Sequence, residues 1–156
     1  MTTIGDLLRQ ETAAAKQDAA DAAKKEEDTR TKKEREKAAE NERIDANVKA
    51  SIAHIFDREF ALSIKNAAQQ GKSEVEVPLG EQVYSWDAPP RDPLTLFPQR
   101  VQSIAKYLPE YLIAQGCQAE VRIQKDHYDA QPPCSDDGGY GCEDHDVYTV
   151  FLVIKW

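Results

Sequence analysis

The chain has 156 residues, enough for one ordinary domain with an appendage and too few for two full domains. With 40% hydrophobic and 31% charged residues and a formal charge of −8, it reads as a soluble protein with no bulk attraction to nucleic acid, which needs clustered Lys and Arg. No stretch approaches the ~20 apolar residues of a membrane span. Met1 to Asp6 lack the basic start and apolar run of a secretory signal, so the expected location is the cytoplasm, with reduced cysteines.

Two compositions meet near Ala50. All aromatic residues, four Phe, two Trp and six Tyr, lie in 51–156, whereas 1–50 hold many Ala but only Met1, Ile4, Leu7, Leu8, Ile44 and Val48 as larger apolar side chains. At ~25 cal/mol per Å² of buried apolar area, that inventory cannot fold inward as a domain. It is still a strong helix former, made of Ala, Glu, Lys, Gln and Arg with no Pro. Residues 1–45 are therefore predicted to form a charged helical arm, with Thr3 as its cap. Its centre, Lys24 to Lys37, has almost no apolar seam and relies on pairs such as Lys32 to Glu36 and Glu34 to Lys37. Ile4, Leu7 and Leu8 at one end and Ile44, Val48, Ile52 and Ile55 at the other read as sticky ends, so the arm is expected to find company. The options are a coiled coil with sister subunits, a lone arm, or an arm on another protein.

Residues 46–156 read as helix, strand, helix, strand, strand. Ile44, Val48, Ile52, Ile55, Phe56, Phe60, Leu62, Ile64 and Ala68 trace an apolar stripe that Gly71 ends. Glu74 to Pro78 alternates as a short strand, Leu79 to Pro98 is an irregular connection around Trp86, and a helix follows from Gln99 to about Gln115. Pro109 predicts a kink or break near Ala105 in that helix. Ala119 to Ile123 alternates as a strand. Val147 to Trp156 is nearly continuous in apolar residues, so it is expected to be the central strand, covered on both faces, with helices on one. The fold class is α+β: a long N-terminal helix, then a small domain with a mainly antiparallel three-stranded sheet.

The last two strands are joined by a long hairpin insertion, 126–146, which holds seven acids and no Lys or Arg. Cys134, Cys142 and His145 form a ligand set that zinc accepts, although C-x7-C-x2-H matches no paired knuckle spacing. The residues leave open structural zinc, a Cys134 to Cys142 disulfide, or reduced thiols in an acidic loop; otherwise no cofactor is expected. Asp136, Asp137, Glu143 and Asp144 do not follow an EF-hand pattern and read as a partner-facing acidic surface. No G-x-S-x-G elbow accompanies Ser135 or the cysteines, and no enzyme is expected.

A helix ending near Gly71, a V-x-V strand at Val75 and Val77, a second helix ending at Gly116 and a hairpin closing on Tyr148 to Trp156 together resemble the small α+β proteins of tailed bacteriophages. That resemblance covers about residues 50–156. It implies a virion component or a host-directed inhibitor, located in the virion or the host cytoplasm, and carries over no catalytic residue. The combined expectation is a non-enzymatic, homo-oligomeric binding or assembly protein that contacts protein partners through Ile4, Leu7, Leu8 and the loop acids, without direct nucleic-acid or membrane binding. The alternatives are an inhibitor whose loop acids mimic phosphate, and a Cys/His metal-binding protein.

Overall fold

The structure, a computed structural model, describes residues 4–84, 91–128 and 145–156. In chain order the elements are α1 (Ile4–Ile55), a π-helical turn (Phe56–Phe60), α2 (Ala61–Gln69), β1 (Glu74–Tyr84), a 3-10 turn (Pro93–Leu96), α3 (Gln99–Ala114), β2 (Gln118–Tyr128) and β3 (His145–Lys155). The chain divides into two units, Met1–Glu42 and Arg43–Trp156. No helix among the described residues is long and apolar enough to cross a membrane.

In the second unit the three strands form one antiparallel sheet in the order β1-β3-β2, with β3 central as its apolar run requires. Tyr148, Val150, Leu152 and Ile154 alternate onto one face and are buried against the helices. The larger cluster joins Val48, Ile55 and Phe60 to Ile104, Leu108 and Leu112 of α3 and to Val77, Leu152 and Ile154 of the sheet. A smaller one gathers Phe97, Tyr148 and Val150. On the opposite face Val153 is only 3% exposed, at a register position between Glu76 of β1 and Glu120 of β2. There Glu76 of β1 and Arg122 of β2 pair at 2.7 Å from either side of β3, and the guanidinium lies over the Phe151 ring.

The helical stripe departs from an ideal α period at one place. Val48, Ile55, Phe60 and Ala67 are the buried positions, and the step of five between Ile55 and Phe60 is the π-helical turn. The extra residue re-phases everything after it, so Leu62 is 68% exposed and Ala68 is exposed, both outside the stripe expected for them, while Ala67 is inside. Ile44 and Ile52 are half-buried against the same core, so this supposed sticky end is used by its own body.

Three further expectations are corrected. α3 continues through Pro109 to Ala114 without a break, because Ile104, Leu108 and Leu112 are buried on either side of it. At roughly 1.5–3 kcal/mol per buried side chain, that packing outweighs the ~3 kcal/mol that an interior proline costs. β1 runs past Pro78 to Tyr84, since an edge strand tolerates a missing N–H on its outer side and a register shift between Pro78 and Gly80 absorbs the rest. The insertion is shorter than 126–146, because Asp126, His127 and Tyr128 pair with Val147, Asp146 and His145. Ile113, next to buried Leu112 on α3, lies off the packed face and is 56% exposed. Both helix ends close on left-handed glycines, Gly71 (φ 76) and Gly116 (φ 89), followed by matching bonds from Lys72 N to Ala67 O and Cys117 N to Leu112 O.

Candidate functional site

Within the first unit, the side chains of residues 11–42 are exposed apart from Thr31 and Asn41, which are intermediate. What order they have is local. Arg30 Nε meets Glu34 at 3.0 Å, Lys32 Nζ meets Glu36 at 4.0 Å, and Gln17 donates to Asp21. Thr29 and Thr31 donate to the carbonyls of Lys25 and Glu27 one turn back. Glu34 pairs with Arg30 rather than with Lys37. Such exposed pairs add only a few tenths of a kcal/mol each. Ile4, Leu7 and Leu8 fall in the first two turns of α1.

The second unit opens with an anchor that composition concealed. Half-buried Asp45 accepts hydrogen bonds from Ser103 Oγ at 2.7 Å and Tyr107 Oη at 2.5 Å, tying α1 to α3. Ser103 is the one buried polar residue among those described, and Gln99 also donates to it. The Tyr107 bond and then the Ser103 bond hold the Asp45 carboxyl below the usual range, with Lys106 and Lys49 adding to the effect. Lys106 is raised, mainly through Tyr107 and Asp45. Residues 43–45, assigned to the arm on composition, thus belong to the body.

A second polar cluster lies where β2 and β3 approach the 129–144 connection. Asp146 Oδ1 is 2.7 Å from His127 Nδ1 and its Oδ2 is 2.9 Å from Lys125 Nζ. The His127 contact first, and Lys125 next, hold the Asp146 carboxyl below its ordinary range, and Lys125 is raised in turn by Asp146. Lys125 also lies 5.9 Å from the Tyr148 ring, which Tyr84 meets edge-on. His145 stacks on Tyr128 with ring centroids 5.3 Å apart. Alternation of Lys125 and His127 along β2 was the available signal for this cluster, but both had been divided from each other by the expected insertion boundary.

Of the ligand set suggested by the sequence, His145 is described, at the start of β3. Cys134 and Cys142, and the acids Asp136, Asp137, Glu143 and Asp144, lie outside the described residues, as does Trp86. Among the described residues no group of three or more His, Cys, Asp or Glu side chains is arranged to hold a metal ion. Comparison with protein-family models, with curated proteins and with solved structures finds no match.

Proposed function

We propose that this is a non-enzymatic binding or assembly protein, of the kind tailed bacteriophages encode as virion components. The second unit serves as a protomer body and the arm is the element that engages a sister subunit or another protein. The observation that supports this reading is the exposure of residues 11–42: a helix of that length with no apolar face turned inward has little reason to persist unless something outside it is held. Ile4, Leu7 and Leu8 supply an apolar end for such a contact, and the acids of the 129–144 connection add charge selectivity.

Light scattering on the full chain and on a chain beginning at Asn41 tests the proposal. Loss of association, or of a captured partner, on removal of the arm is the expected result. An arm whose removal changes neither, and whose only effect is to destabilise the body, would be a structural brace, and the proposal would fail.

A further inference from the structure

Resting on that reading of the arm, we infer that its partner is the arm of a second copy, lying antiparallel to it about Thr29 and held in that register by charge. The distribution of charge along α1 carries the argument. Residues 18–28 contain Asp18, Asp21, Glu26, Glu27 and Asp28 against Lys24 and Lys25, a net −3, whereas residues 30–37 carry five bases against Glu34 and Glu36, a net +3. The two blocks meet at Thr29 and are of similar length.

In a parallel pair in register each block faces its own copy, so −3 opposes −3 and +3 opposes +3, an arrangement that like-charge repulsion disfavours along its whole length. An antiparallel pair centred on Thr29 sets residues 18–28, net −3, against residues 30–40, where Glu40 brings the basic block to a net +2, and does so twice. It brings Asp21 to the height of Lys37, Glu26 to that of Lys32 and Asp28 to that of Arg30, with Lys25 level with Lys33 and Asp18 level with Glu40 as like-charged exceptions. The same register sets Ala19 and Ala20 level with Ala39 and Ala38, whose side chains are no larger than a methyl group. The local pairs Arg30 to Glu34 and Lys32 to Glu36 lie within the basic block and do not change its sum. The Thr29 and Thr31 hydroxyls are already satisfied within the helix, so the centre needs no polar partner. Facing helices are separated by 8–10 Å, comparable to the ~10 Å screening length at 0.1 M salt, so whole blocks interact even where individual side chains do not touch.

The test uses the full chain and a variant in which the sign of each block is exchanged: Asp21→Lys, Glu26→Lys and Asp28→Arg together with Arg30→Asp, Lys32→Glu and Lys37→Glu. Circular dichroism establishes that both are equally helical. By sedimentation, the natural chain is expected to approach twice the monomer mass as concentration rises. Its dissociation constant should weaken by about tenfold or more between 0.1 M and 1 M salt, where the screening length falls from ~10 to ~3 Å. The variant should pair with itself equally well, yet native mass spectrometry of the two chains mixed should show no mixed dimer beyond the few that chance exchange supplies. Mixed dimers formed from chains that are each monomeric alone would mean parallel pairing and overturn the inference. So would association indifferent to salt. A natural chain that stays monomeric at every concentration also overturns it, and the comparison with the chain beginning at Asn41 still decides separately whether the arm holds a different protein.

Discussion

Asp45 shows how much one side chain decides here. It lies three residues beyond the exposed helix, and its two oxygens are each taken by a hydroxyl of α3. The pKa of Asp45, like that of Asp146, is lower in the folded protein than in the unfolded chain. The stabilisation each gives is therefore complete above the unfolded value near ~3.9 and is lost as the pH falls through the folded value. Asp45→Asn is accordingly expected to lower the urea midpoint at neutral pH, with the gap to the natural chain closing as the pH falls below the unfolded carboxylate value and through the lower folded one. A gap that widened in acid would contradict the assignment. Ser103→Ala removes one donor to Asp45 and is expected to cost about 1 kcal/mol in the same measurement. Gly80 makes the opposite kind of demand. A Cβ there would come within 3.3 Å of Phe97 and 3.5 Å of Val101, so Gly80→Ala crowds the smaller core where it is already closed. A loss of about 1–2 kcal/mol is expected by thermal unfolding, with Phe97→Leu in the same chain returning part of it.

Among the elements, the π-helical turn has the clearest consequence. Val48 and Ile55 are seven residues apart, as are Phe60 and Ala67, and only the five-residue step between them breaks the α period. Deleting exposed Arg58 should convert the turn to ordinary α-helix, keep all four side chains inward and leave stability within about 1 kcal/mol of the natural chain. Deleting Ser51 instead throws Val48 out of phase with Ile55 and should cost about 2 kcal/mol or more, read from the shift in melting temperature. The same turn marks how far the elements were legible. Gly71, Gly116 and the apolar run of β3 announce themselves through local chemistry, and helix ends and central strand are found where they point. The π turn leaves no such mark, because Phe56 and Phe60 satisfy an α stripe as well as a π one. The passage of α3 through Pro109 and of β1 through Pro78 depends on packing and edge position, which lie outside any local window. As for the candidate site, the arm's exposure followed from its lack of large apolar residues, but Asp45 resembled the other acids of the arm and its partners lie 58 and 62 residues away.

At the scale of the whole molecule, the position of the boundary between arm and body becomes a measurable quantity. Composition placed it at residues 45/46, whereas the body begins at Arg43 and includes Ile44, packed on the core, and Asp45, bonded to Ser103 and Tyr107. Two truncations separate these boundaries. Residues 11–40, lost from a chain beginning at Asn41, contribute no buried side chain, and the body's unfolding free energy should stay within about 0.5 kcal/mol of the full chain, as for surface changes generally. A chain beginning at Ala46 loses half-buried Ile44, worth about 1 kcal/mol, and also leaves the buried Ser103 hydroxyl without its acceptor, at a further ~1–3 kcal/mol. The second chain should thus unfold well before the first in urea, and the part of its deficit due to Asp45 should shrink in acid while the part due to Ile44 does not. If the two truncations proved equally stable, the anchor would be ornamental and the body would begin where composition alone had put it. If both were badly destabilised, the arm would be supporting its own body, and the outward role proposed for it would lose its physical basis.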